Sequence, residues 1–377
     1  MNFSVDDRII CFGVLCIVFY GCSILGVVLS IAITTCVVFV TESYACKLDE
    51  DSLSKDLAAL ETLYDVDNII NTPVLPSDVE LYYEQTTSRD HGWLQVFNVP
   101  GMHSTMCLEP PIGQVCGASL QAMLVLEKIC TKQCKRVMEV GCGQGFCSLF
   151  LAKMCPGVQF TGTDILPTHI KIAQSQQTET GLYKNAEFKV GDAIALEAPV
   201  HGAKFDLIFA VEALCYLDTP QKRNAFLTRA YNCLGEAGIV VIIDGFRSDT
   251  FEMCSHNQRR AMQLAEKGFR INAMPAKSVW KQHAADLNFA VTEDVDFTRQ
   301  VIPFWQRGWR VAHFILNYAF IIKKVTGWLP CAKQSAASFL STATAAHAFR
   351  NRGAAEYGMI TLQKADLPSA FSAFKPA

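Results

Sequence analysis

The chain has 377 residues and a formal net charge of −3; 50% of its residues are hydrophobic and only 18% are charged. That length accommodates one large or two modest domains with a real core, and the near-neutral balance argues against a nucleic-acid binder that works by charge. The 16 cysteines fall inside apolar runs rather than at paired spacings, so they read as small reduced core residues, not as a disulfide framework or a metal site.

From Ile9 to Val40 no residue is charged. A bilayer core needs roughly 20 apolar residues, and the stretch follows Asp6-Asp7-Arg8 rather than a cationic leader, so residues 1–46 predict an uncleaved transmembrane anchor. Lys47 and Lys55 on its far side favour a single-pass endomembrane protein, in the endoplasmic reticulum or a similar membrane, with a cytosolic body. Leu48, Leu53, Leu57, Leu60 and Leu63 recur at helical spacing and predict an amphipathic helix in a connecting segment, 47–80. Asn71-Thr72-Pro73 and Leu75-Pro76 then break the chain.

Lys135-Arg136 followed by the apolar Val137, Met138 and Val140 reads as a strand, and Phe146 to Lys153 reads as a helix ending at Pro156-Gly157. Gly141, Gly143 and Gly145 therefore occupy a strand-to-helix turn, where bare backbone admits unusual dihedrals and a closely approaching ligand. A second strand, Val158 to Ile165, ends at Asp164, placed either to accept ribose hydroxyls or to cap the helix that Pro167 opens. A third, Ala186 to Ala193, ends at Gly191-Asp192, where the carboxylate contacts a base or forms an Asx turn. Phe205 to Val211 is nearly continuous apolar sequence, as a central strand covered on both faces requires, and Glu212 follows at its carboxyl end. Ile239 to Phe246 is another buried strand. Strand and helix thus alternate at least four times, which predicts a mostly parallel sheet with helices on both faces over 81–247.

Together these pieces resemble the class I S-adenosylmethionine-dependent methyltransferases over roughly residues 80 to 250. Glu139-Val140-Gly141-Cys142-Gly143-Gln144-Gly145 is similar to the family's glycine-rich first motif. Asp164 matches its ribose-holding acid, with Ile165 beside it, and Gly191-Asp192-Ala193 is similar to the adenine-side motif. Phe205-Asp206 opens the fourth-strand motif. Leu234 to Gly238 resembles the turn before strand five, although Gly235, Glu236 and Ala237 depart from the family's pattern. The resemblance implies a Rossmann-like α/β fold with a seven-stranded sheet, completed by Ala354 to Lys364, and S-adenosyl-L-methionine as cofactor. Gly-x-Gly-x-x-Gly dinucleotide binding is disfavoured, because Phe146 stands where its third glycine belongs.

A narrower resemblance, to sterol C-methyltransferases and related small-molecule enzymes, rests on Leu81 to Phe97 with Met102-His103 and on Phe209 to Phe226. Tyr216 takes a histidine-like position there. It implies a membrane-anchored enzyme that methylates a lipid or other hydrophobic molecule, sterol- or isoprenoid-like carbon being favoured. Glu212, His103 and Tyr216 are the candidate catalytic residues. Tyr82, Tyr83 and Trp93 offer aromatic faces to a cationic sulfonium or simply pack a helix. Residues 248–350 read as a helical lid followed, within Val301 to Pro330, by an interfacial helix or a buried substrate-pocket helix, its apolar stretch being too short to span a bilayer. The last core strand and tail are assigned to 351–377. Two alternatives stand: an N- or O-methyltransferase of a soluble small metabolite, and a non-catalytic membrane-tethered scaffold.

Overall fold

The computed structural model describes residues 47–89, 104–107, 116–117, 119–180, 183–199, 202–326, 333–350 and 353–365. The helices in chain order are α1 (Glu50–Leu63), α2 (Val66–Asn71), α3 (Pro76–Arg89), α4 (Leu120–Thr131), α5 (Phe146–Met154), α6 (Pro167–Thr180), α7 (Pro220–Cys233), α8 (His256–Gly268), α9 (Lys277–Asp286), α10 (Thr298–Thr326) and α11 (Lys333–Ala348). One sheet is built from β1 (Arg136–Val140), β2 (Gln159–Asp164), β3 (Ala186–Val190), β4 (Phe205–Val211), β5 (Leu234–Arg247), β6 (Phe289–Asp296) and β7 (Ala355–Lys364). The chain divides into two compact units: Met1–Ala118 with Thr250–Asn272 and Arg299–Ala355, and Ser119–Asp249 with Ala273–Thr298 and Glu356–Ala377.

The first unit is helical. Its α1 begins with a reciprocal cap: the Asp49 carboxylate accepts the Ser52 N–H at 3.0 Å, and the Ser52 hydroxyl oxygen accepts the Asp49 N–H at 3.0 Å. The expected leucine stripe is buried, with Leu53, Leu57 and Leu60 in one apolar cluster with Leu264 of α8, Leu316 of α10 and Leu340 of α11.

One expectation is corrected here. Among the described residues no helix is long and apolar enough to cross a membrane. That leaves the transmembrane architecture, the membrane partner and the endomembrane placement without support among the described residues; the apolar stretch 9–40 on which they rested lies outside them. In α10, Val301, Trp309, Ala312 and Leu316 are buried within the helical unit, Ala312 and Leu316 in the apolar cluster shared with α1, α8 and α11.

The second unit is α/β. Its strand order is β3-β2-β1-β4-β5-β7-β6. β3, β2, β1, β4 and β5 pair in parallel, and β6 pairs antiparallel with β7. The central β4 is buried except at the half-buried Asp206, and Asp206 itself accepts the backbone N–H groups of Lys135 and Arg136 at 2.6 and 2.9 Å, pinning the start of β1. Thr219 caps α7 through the Lys222 N–H, with Pro220 in the first turn, so the helix after β4 starts at a fixed point. The chain moves outward from β1 to β3 on one side and returns to β4 on the other. That reversal opens a crevice beyond the carboxyl ends of β1 and β4, the usual ligand position in such sheets.

Candidate active site at the carboxyl edge of the sheet

β1 carries Glu139 and ends at Val140. The chain then turns through Gly141 (φ +69°), Gly143 (φ +52°) and Gly145 (φ +86°), all in the left-handed region. A Cβ on Gly141 would stand 2.3 Å from the Ala213 Cβ, and one on Gly145 would stand 2.9 Å from Ala173 and Phe188. Only glycine lets this turn close against the end of β4 and against α6 and β3.

Two carboxyl groups fasten the turn. Glu139 is buried and accepts the Ser148 N–H at 2.9 Å as well as the Ser148 hydroxyl, which anchors the first turn of α5. Burial pushes its carboxyl up to about 8, against the pull of those hydrogen bonds. Asp164 ends β2; its Oδ2 accepts the Gly143 N–H and its Oδ1 the Leu166 N–H, both at 2.9 Å. The second bond caps the approach to α6, and the first straps the glycine turn to β2. The Gly191 N–H donates to the Asp164 carbonyl at 3.0 Å, tying the ends of β2 and β3. Asp192 is exposed and accepts the Ile194 N–H at 3.1 Å, forming the Asx turn that starts the single 3-10 turn at Ala193. Ile165, beside Asp164, leaves 46% of its surface exposed.

The opposite wall is the end of β4. Glu212 has φ +50°, rare for a residue with a side chain, and its N–H donates to the Ile243 carbonyl of β5 at 2.8 Å. The Tyr357 hydroxyl donates to Glu212 Oε1 at 2.9 Å, and the Gln121 side-chain N–H donates to the Tyr357 oxygen at 3.2 Å. Asp244, buried in β5, accepts the N–H groups of Leu214 and Cys215 at 2.9 and 3.0 Å and its neighbour Gly245's at 2.8 Å. It thereby holds the short 3-10 turn Leu214–Tyr216, on which Tyr216 is half-buried. Burial raises the Asp244 carboxyl to about 6, opposed by those backbone donors.

The glycine turn, Asp164, Gly191, Asp192 and Glu212 therefore converge on one edge of one unit. Tyr82 and Tyr83 lie on α3 of the helical unit, their ring centroids 5.2 Å apart in an edge-to-face pair. His103 and Trp93 lie outside the described residues. Sequence reasoning passed over Tyr357, Gln121 and Asp244. Asp244 carried a usable signal, a lone acid closing the aliphatic run Ile239 to Ile243. Tyr357 carried none, since a tyrosine in a half-alternating strand is unremarkable.

Nucleophilic chemistry by the nearby thiols is disfavoured: burial first, then neighbouring carboxylates, push Cys142, Cys147 and Cys215 well above the ordinary thiol range, so they stay protonated. A bare left-handed turn bordered by Asp164 and by the end of β4 that carries Glu212, with an exposed isoleucine face at one end, fits a nucleoside that carries a positive charge.

A family model described as a methyltransferase domain matches residues 137–238. The chain is similar to ajmaline N-methyltransferase of Rauvolfia serpentina, 24% identical over 201 residues, which cover 52% of this chain and 67% of that enzyme. It is also similar to the chloroplastic tocopherol O-methyltransferase of Arabidopsis thaliana, 24% identical over 236 residues, covering 62% of this chain and 64% of that one. It spans only 59% to 67% of the length of the first curated relatives it matches. Among solved structures, geranyl diphosphate C-methyltransferase from Streptomyces coelicolor A3(2) matches with a TM-score of 0.53 and 14% identity over 78% of this chain and 99% of that one. At that identity the likeness is one of fold.

Proposed function

Because the chain belongs to the class I S-adenosylmethionine-dependent methyltransferases, we propose that it methylates a nitrogen or oxygen atom of a small metabolite, with Glu212 as general base. This reading replaces membrane-anchored, sterol-like C-methylation. The curated relatives described above are N- and O-methyltransferases, the C-methyltransferase likeness is of fold alone, and no described helix could span a membrane.

When bound, S-adenosylmethionine supplies an electrophilic methyl group. The chain's own part is binding, alignment and proton removal. The glycine turn from Gly141 to Gly145 offers backbone to the cofactor, Asp164 its ribose contact, and Ile165 with Gly191, Asp192 and Ala193 the base contact. The bond from Gly143 to Asp164 holds turn and carboxylate together before any ligand arrives. An amine or hydroxyl acceptor gains a methyl group and must lose a proton. Glu212 takes it, which requires a carboxylate fixed at the crevice. Tyr216, on the adjoining turn, is a candidate wall for the acceptor.

The observation that carries this reading is the placement of Glu212, in a left-handed backbone conformation at the end of the central strand, beside the residue that Gly141 abuts. Non-glycine residues are held so at a cost, and such strain clusters at functional sites.

The test is calorimetric titration of S-adenosylmethionine into the full chain, followed by transfer of labelled methyl to a panel of amines, phenols and alcohols. Asp164→Ala is expected to lose cofactor binding. Glu212→Gln is expected to keep it and to lower kcat by about 10²- to 10⁴-fold. Full-rate transfer by Glu212→Gln would remove the general base from the proposal. Equal binding by Asp164→Ala would remove the ribose contact.

A further inference from the structure

We propose that Tyr357 is a positioning residue for the reaction: its hydroxyl, set by Gln121 behind it, fixes the Glu212 side chain as an ionised proton acceptor at the crevice. This rests on the reading of Glu212 as the base.

The direction of the relay follows from donor chemistry. Gln121 meets the phenol oxygen through its amide N–H, at 3.2 Å, and that group can only donate. The phenol oxygen is thus occupied as an acceptor, and its own proton goes to Glu212 Oε1, at 2.9 Å. Gln121 is 0% exposed and Tyr357 1%, so water does not compete for the bond between them, while Glu212 is half-buried at the crevice. Glu212 is then held at both ends, its backbone by the Ile243 carbonyl in the left-handed conformation and its tip by Tyr357. A hydroxyl donating to a carboxylate favours the charged form. Burial, and next the charge on Glu212, push the phenol well above its ordinary range, so it stays a donor at every working pH.

The arrangement also explains why β7 carries a tyrosine in an otherwise aliphatic core. Tyr357 brings a donor from the last strand to the end of β4, 145 residues away in sequence. Titratable groups that interact with this pair include Asp244 on β5, which acts on Tyr357, and Cys215 on the turn after β4 and Cys147 on α5, on which Glu212 acts. None of these is a cation, whereas the Tyr357 hydroxyl donates to the carboxylate and favours its charge.

The experiment uses the full chain labelled with 13C-carboxyl glutamate, the Glu212 resonance being assigned by its disappearance in Glu212→Gln. Carboxyl titrations are compared in the native protein, Tyr357→Phe and Gln121→Leu, with S-adenosylmethionine affinity measured alongside. Loss of one hydrogen bond to a charged group is expected to move the Glu212 midpoint up by about one pH unit in Tyr357→Phe. Gln121→Leu should move it the same way by less, and it serves as the readout should Tyr357→Phe fail to fold. Cofactor affinity is expected to stay within about twofold of the native value. With an acceptor from the panel, the acidic limb of kcat/KM should move with the carboxyl midpoint. An unmoved midpoint, or a moved midpoint with an unmoved limb, overturns the positioning role. Native protein that binds no S-adenosylmethionine overturns the functional reading instead, and the carboxyl titration still decides whether Tyr357 sets Glu212.

Discussion

The two units bury carboxyl groups in opposite ways. In the helical unit Asp56 of α1 is 1% exposed, yet it receives Trp309 Nε1 at 2.8 Å, His347 Nε2 at 2.9 Å and the His313 ring. Burial opposes its charge, but three side-chain donors overcome it and hold the carboxyl below the usual aspartate range. In the α/β unit Glu139 and Asp244 are as deeply buried, but Glu139 is served by Ser148 alone and Asp244 by backbone N–H groups, and burial wins at both. Depth alone therefore does not decide charge: Asp56 and Asp244 each accept from three donors, and it is the kind of donor that differs. Where the chain has only a core to hold, it saturates the acid.

The sharpest way to break this contrast is Asp56→Ala. It strips a shared acceptor from two histidines and a tryptophan that are all buried, and should cost about 3–5 kcal/mol in urea unfolding. The pH dependence has a definite sign. A carboxyl held below its unfolded value gives stability that is present above the ordinary aspartate range and lost as pH falls through the folded value. The native protein should therefore lose stability on acidification, and Asp56→Ala should lose less. Equal acid sensitivity in both would mean that the donors around Asp56 do not hold its charge.

Asp244→Asn tests the other side at a smaller expected cost. Its carboxyl accepts from three backbone N–H groups, and an amide can replace only one of the two oxygens, leaving a donor facing a donor. A loss of about 1–3 kcal/mol follows. It should come with weakened methyl transfer, since the turn carrying Tyr216 loses its anchor. Unchanged unfolding would show that those N–H groups find other partners.

These carboxyl groups also mark how far sequence reasoning reaches. The glycine turn, Asp164 and the alternation of strands and helices were legible because each is local: a strand, a turn and a helix within a few dozen residues. The leucine stripe of α1 was legible for the same reason. Asp56 lies three residues after Leu53 and four before Leu60, on the same buried face, so a lone acid on an apolar stripe was the available signal. Its partners were not available, being 253 to 291 residues away. Tyr357 reaches Glu212 across 145 residues, and no spacing rule connects them. The burial of Ala312 and Leu316 in α10 was illegible for the same reason. Composition shows that a helix has an apolar face, whereas only the fold shows whether lipid or other helices cover it.

The smallest effect at neutral pH, and the most diagnostic, is expected of Glu139→Gln. The native carboxyl holds its proton to about 8, whereas an ordinary glutamate releases it near 4.5. Between those values the folded state binds the extra proton, so this group makes stability fall as pH rises through that window and then level off above it. Asp244, raised to about 6, adds a fall of the same sign over a lower window. Glutamine keeps an oxygen for the Ser148 N–H and carries no proton to lose, so at pH 5 the substitution should change stability by no more than about 1 kcal/mol. As pH is raised the variant should decline less than the native protein, the reverse of the acid-side behaviour expected around Asp56. Urea midpoints measured from pH 5 to 9 decide it. Parallel curves would mean that Glu139 is ionised in the fold despite its burial, and the electrostatic contrast between the two units would then rest on Asp244 alone.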